Sequence, residues 1–141
     1  MRYYNVGKKE DYEILNKLMA TDEYNDLYGY NLRFAILMVT TEDKDGVVMP
    51  PYNKSLPYKV KIISAKDRIL KKIDVEIHID RCYWEYNTNE MDKMAIIDGA
   101  LKQLEVVCKG KDNVPIYEDD GVVKLKLKKP DMIYEGFKSI A

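Results

Sequence analysis

Asp74-Val75-Glu76-Ile77-His78-Ile79-Asp80 places Val75, Ile77 and Ile79 on one side of an extended chain and Asp74, Glu76, His78 and Asp80 on the other. After a spacer holding Trp84, the segment Thr88–Cys108 carries Met94, Ile97, Leu101, Leu104 and Cys108 at helical spacing, and Ala95, Ile96, Ala100 and Val107 widen that stripe. A strand with one apolar side, followed by a helix apolar over most of its surface, predicts a sheet packed on a buried central helix.

On the N-terminal side, Lys59–Ile63 reads as a second strand, and Ser64 can cap a helical turn running through Asp67 and Leu70. Residues 41–58 contain Asp45-Gly46, Pro50-Pro51 and Pro57, which predict a long loop or an irregular hairpin. Leu32–Thr40 is apolar apart from Arg33 and Thr40 and predicts an interior strand. Glu10–Met19 predicts an amphipathic helix with Tyr12, Leu15, Leu18 and Met19 inward, and with Glu10, Asp11, Glu13, Asn16 and Lys17 outward. On the C-terminal side Gly110 closes the central helix. A hairpin follows, with Val114–Tyr117 as its first arm and Val122–Lys128 as its second. In the second arm Val123, Leu125 and Leu127 point inward, and Lys124, Lys126 and Lys128 outward. Pro130 suits the first position of a last helix through Ile133 and Phe137 towards Ile140. The order predicts one α+β domain spanning all 141 residues, with a mixed or antiparallel sheet and helices at both ends.

Composition narrows the function. Lys plus Arg number 23 and Asp plus Glu 24, for a net charge of −1, which gives no bulk attraction for nucleic acid or anionic lipid. No apolar run approaches the roughly 20 residues of a membrane span, and the start lacks the apolar core of a secretory signal, so a cytoplasmic location is expected. Cys82 and Cys108 lie far apart and outside any CxxC spacing, so buried free thiols are expected rather than a disulfide or a zinc knuckle.

The strand Asp74–Ile79, Trp84 and the helix Met94-Ala95-Ile96-Ile97-Asp98-Gly99-Ala100-Leu101-Lys102-Gln103-Leu104 together resemble the putative phage metallopeptidase family, a compact zincin scaffold related to SprT-type proteases. Val123-Lys124-Leu125-Lys126-Leu127-Lys128-Lys129-Pro130-Asp131 resembles the strand and His-Asp pair that precede the family's final helix. The resemblance runs in order and spacing from about Tyr24 to Phe137. It implies that the positions of the HExxH residues are Gly99, Ala100 and Gln103, and that a later His is replaced by Pro130. In an HExxH helix the two His, one turn apart, bind zinc and the Glu acts as general base. Gly, Ala and Pro cannot ligate a metal, and Gln offers only an amide oxygen. The resemblance therefore implies a metallopeptidase fold that has lost its metal and its base together, with no cofactor and no catalysis. Side-chain volume is removed at Gly99 and Ala100, so a cleft at Asp98, Gly99 and Gln103 either persists or has been filled by neighbours. Asp98, kept where the family has Asp, is expected to make a structural hydrogen bond to backbone, and Trp84 to pack the core.

Other constellations carry less. His78, Glu76, Asp80 and Cys82 could offer metal donors, but alternating polar residues are what a solvated strand face shows. Asp119-Asp120 precedes Gly121 and reads as turn chemistry. Lys124, Lys126, Lys128 and Lys129, with Lys59 and Lys61, could form a phosphate stripe, yet edge lysines also block aggregation. Twelve tyrosines against two phenylalanines suggest a contact surface formed by Tyr24, Tyr28, Tyr30, Tyr52 and Tyr58. The expected function is a catalytically inactive phage or prophage accessory protein that binds a host, phage or defence protein and acts as an inhibitor. The alternative is a nucleotide-type small-molecule binder using the vacated cleft.

Overall fold

The computed structural model describes residues 1–49, 56–86 and 89–128. The chain opens with strand β1 (Arg2–Val6), which the sequence reading did not anticipate, and continues into helix α1 (Lys9–Met19). A 3-10 turn over Asp22–Tyr24 leads to α2 (Asn25–Gly29) and then to β2 (Phe34–Glu42). β3 (Val48–Met49) returns along the end of β2, so of the two forms expected for residues 41–58 the segment begins as a hairpin, turned around Asp43, whose carboxylate accepts from the amides of Asp45 and Val47. β4 (Tyr58–Ile62), α3 (Ala65–Lys71) and β5 (Val75–Asp80) follow. As expected, the Ser64 hydroxyl caps α3 by accepting from the Asp67 amide at 3.3 Å.

Two consecutive helices, α4 (Arg81–Tyr86) and α5 (Glu90–Lys102), precede the short strands β6 (Leu104–Val106), β7 (Cys108–Lys109), β8 (Val114–Pro115) and β9 (Leu125–Leu127). α5 is shorter than the Thr88–Cys108 helix expected. Leu104 continues the apolar spacing of the helix but lies in a strand, where it pairs with Leu127 and Val106 pairs with Leu125. The hairpin forms as expected, with Tyr117 bridged to Val123, although Leu127 is exposed rather than inward. The expected helix beyond Pro130 lies outside the described residues.

The main sheet has the order β1-β2-β5-β4, with β2 and β5 parallel and the outer pairs antiparallel. β2 is central, which explains why its sequence is apolar without alternation. On the helix-bearing face, Ile36, Val75, Ile77 and Ile79 pack with Ile96, Ile97 and Leu101 of α5 and Ile14, Leu15 and Leu18 of α1. The fold is α+β, with a mixed sheet on buried helices. No described helix is long and apolar enough to cross a membrane.

Several polar residues depart from their expected places. Asp11 sits among the outward residues of its helix by spacing, yet it is buried. Its Oδ2 accepts from the Lys8 amide at 2.8 Å and its Oδ1 from the Trp84 indole at 3.1 Å, which compensates the burial of a carboxylate. Trp84 is buried, as expected. Cys82 and Cys108 are both exposed. Cys82 lies on the first turn of α4, where its amide caps onto Asp80, and Cys108 lies on a two-residue strand, so neither reaches the core.

Arg68 holds the hairpin to the sheet. Its side chain is 3 % exposed, with Nε at 2.6 Å from Asp120 Oδ2. Nη2 lies 3.2 Å from Glu118 Oε2 and Nη1 donates to the Ile63 carbonyl at 2.7 Å. Asp74, equally buried, accepts from the Arg33 amide and guanidinium. The Arg68 hydrogen bond holds the Asp120 carboxyl below its ordinary value of 3.8. At Glu76 burial works upward, but the His78 hydrogen bond and the Lys71 charge outweigh it and hold the carboxyl below 4.5. A carboxylate depressed on folding adds stability above about pH 4, and that stability is lost as pH falls through the lower folded value. The urea midpoint is therefore expected to stay level from pH 7 to about 5 and to fall below about 4. An Arg68→Met variant should show a shallower acid limb, and an equal one would exclude Arg68 as the cause.

Candidate functional site

α5 begins at Asn89, whose Oδ1 accepts from the Met91 amide at 2.8 Å, and it presents Gly99 and Gln103 one turn apart on one face. Gly99, Ala100 and Gln103 are all buried. The face is occupied by the first residue of β4: a Cβ built on Gly99 would lie 2.7 Å from Tyr58 Oη and 3.2 Å from its Cζ. The cleft left open as a question by the sequence is thus filled at Gly99 by the Tyr58 ring. Burial pushes the Tyr58 phenol up to about 12. Gln103 is near enough to pull it the other way, but no hydrogen bond of regular geometry reaches the buried hydroxyl.

Asp98, beside this face, is one-quarter exposed, its Oδ2 2.9 Å from Lys102 Nζ. Tyr24 donates its hydroxyl to Asp98 Oδ1 and lies 3.2 Å from the Asp98 carbonyl. The expected partner of Asp98 was backbone, and the observed ones are a phenol and an ammonium. Burial first, then Asp98, drives the Tyr24 phenol far above its ordinary value. The Asp98 hydrogen bond likewise raises Lys102. Both phenols are thus held in the neutral form, Tyr24 as a donor to Asp98 and Tyr58 without a partner among the described residues.

The residues present do not fit a zinc ion, since no imidazole or carboxylate stands at Gly99, Ala100 or Gln103, and Pro130 lies outside the described residues. His78 is on the sheet face away from α5, its Nε2 3.0 Å from Glu76 Oε1 and its ring edge-on to Tyr4 at 5.8 Å. Asp80 instead accepts from the amides of Cys82 and Tyr83. Among the described residues no three His, Cys, Asp or Glu side chains converge to hold a metal. The strand face expected to be solvated is half covered, with Glu76 buried.

The expected tyrosine surface divides. Tyr24 and Tyr58 are core residues, because each ring fills space against α5, so they are corrected from contact surface to packing. Tyr28 is exposed and Tyr30 is half-buried against the core, while Tyr52 lies outside the described residues. Exposed Tyr3 and Tyr4 on β1 were missed, and the run Arg2-Tyr3-Tyr4-Asn5-Val6, rich in strand-forming side chains, was the available signal. Lys124, Lys126, Lys128, Lys59 and Lys61 are all exposed, Lys129 lies outside the described residues, and Lys126 lies 3.9 Å from Glu105 across the β6–β9 pair. A groove of about 610 Å³ opens beside Tyr24, with Tyr30, Leu101, Lys102, Val106 and Lys128 among its walls.

Comparison of the chain with protein-family models, curated proteins and solved structures finds no match.

Proposed function

We propose that the chain is a metallopeptidase-like scaffold without a metal centre that acts by binding another protein, as a phage or prophage accessory protein directed at a host or defence protein. The observation that carries this reading is the Tyr58 ring seated on Gly99. The helix face that the resemblance assigns to zinc chemistry serves as packing surface, leaving the exterior for recognition. Exposed Tyr28 and the half-buried Tyr30 beside it offer amphipathic rings of the kind enriched at protein contacts.

Protein purified without chelator should contain far less than one zinc per chain and should not cleave unfolded protein substrates. One zinc per chain, or cleavage abolished by chelation, would overturn the reading. Affinity capture from bacterial lysate should return one stoichiometric protein, weakened by Tyr28→Ala. A small-molecule binder is the alternative. With Gly99 and Gln103 beneath Tyr58, its ligand would enter the groove beside Tyr30. A thermal-shift rise with nucleotides, abolished by Lys102→Ala, would favour it.

A further inference from the structure

Among the described residues strand β1 is an edge of the main sheet. Met1 and Glu42 exchange both backbone hydrogen bonds, and the Gly7 amide donates to the Ile36 carbonyl. In an antiparallel ladder with this register, the odd-numbered residues of β1 bond to β2, so the N–H and C=O groups of Tyr4 and Val6 point away from the sheet. No described strand pairs with that side. All five residues of β1 are exposed, Val6 at 71 % and Tyr4 at 51 %.

The two outer strands are guarded differently. β4, at the opposite margin, carries exposed Lys59 and Lys61 and has β9 against it. β1 has no lysine, proline or bulge, the devices that normally keep an edge from pairing. We infer that β1 is the pairing edge for a second copy of this chain, joining two sheets antiparallel about a two-fold axis at Tyr4.

The edge is complementary to itself. About that axis Tyr4 exchanges both backbone hydrogen bonds with Tyr4 of the second copy, and Val6 falls opposite position 2. Arg2, the only charged side chain of the strand, then faces Val6 rather than another cation. A register shifted by two residues one way would set Arg2 against Lys8 of the second copy and is disfavoured by like charge, and the shift the other way sets Arg2 against Tyr4 and leaves Val6 outside the paired strand. A net charge of −1 per chain puts no bulk repulsion between copies. Tyr4 and Val6 also share one sheet face with Leu37 and Val39, so pairing extends an apolar strip across the junction. The outward amides and carbonyls select an extended strand as occupant, and a second copy supplies one of equal length that pairs about Tyr4 with no like charges facing each other.

Sedimentation of the full chain between about 1 and 100 μM tests this, the upper range being suited to an interface smaller than the usual size of a stable dimer. The mass is expected to rise from 16.5 kDa towards twice that value. Tyr4→Pro removes an outward donor at an edge position where proline is tolerated, and it should hold the mass at 16.5 kDa with an unchanged circular dichroism spectrum. Tyr4→Cys in a Cys82→Ser, Cys108→Ser background keeps the inference testable should the proline variant misfold. The paired Cα atoms would stand about 5.5 Å apart, within disulfide reach, so oxidation should yield a covalent dimer. A mass of 16.5 kDa throughout, with the Tyr4 and Val6 amides exchanging freely, would overturn the inference. So would protection of those amides in the monomer, which would place another segment of the same chain on the edge.

Discussion

Replacing Arg68 by methionine is expected to destabilise the protein by about 3–5 kcal/mol, the usual cost of breaking a buried ion pair by removing one partner. The side chain itself would be matched in volume, so the loss comes from what remains. Asp74, at 3 % side-chain exposure, would keep only Arg33 as an ion-pair partner among the described residues. Glu118 and Asp120 would lose the guanidinium that draws the hairpin onto α3, and the Ile63 carbonyl would lose its donor. In thermal unfolding this corresponds to a midpoint roughly 10–15 °C lower. Arg33→Ala is the control. Its side chain is 47 % exposed, and screening by water should limit its cost to about 1 kcal/mol or less. Equal effects from the two would mean that Asp74, rather than the tie to the hairpin, carries the stability. Glu118 and Asp120 together should account for most of the difference, and they are close enough to be strongly non-additive.

This network shows where the sequence could be read and where it could not. The alternation of Val75, Ile77 and Ile79 is a local signal, and the strand forms as the spacing predicts, with all three side chains inaccessible to water. Asp120, by contrast, reads locally as a turn residue before Gly121. It does make that turn, accepting from the Val122 amide at 3.1 Å, but its second role depends on Arg68, 52 positions away. Asp11 and Trp84 repeat the lesson, because a helical wheel places Asp11 outward while a residue 73 positions on supplies its partner. Beyond Lys102 the helical period of the apolar residues continues through Leu104, and only the pairing with β9 decides that Leu104–Val106 is a strand. The site was legible in one half. Gly99, Ala100 and Gln103 could be singled out along the chain, but that Tyr58 occupies the space above them could not, since a tyrosine after Pro57 reads equally as a loop anchor.

The occupancy of that space is decided by the sign of one substitution. An exposed or loosely packed glycine inside a helix gains about 0.5–1 kcal/mol of stability on replacement by alanine, because the backbone entropy lost on folding falls. At Gly99 the new methyl would meet Tyr58 Oη at 2.7 Å, with Cζ and Cε1 at 3.2 and 3.3 Å. Gly99→Ala is therefore expected to destabilise by about 1–3 kcal/mol, as overpacking does in a well-filled core. Tyr58→Phe removes the closest atom together with a buried hydroxyl that has no hydrogen bond, so alone it should be neutral or stabilising by up to about 1 kcal/mol. Combined, the two should recover a good part of the alanine penalty, leaving a coupling of about 1 kcal/mol or more in a urea-unfolding cycle. A stabilising Gly99→Ala would mean that Tyr58 stands away from the helix and the cleft is open, and the binding reading would then have to yield to a ligand held between them. The same contact governs any attempt to build a zinc site at the positions that the resemblance assigns to the metal. Gly99→His, Ala100→Glu, Gln103→His and Pro130→His together should fail to bind zinc while Tyr58 keeps its place. Adding Tyr58→Ala should allow about one zinc per chain, because a histidine at position 99 then has the ring's volume to turn into. Zinc binding by the fourfold variant alone would show that Tyr58 yields the space without cost.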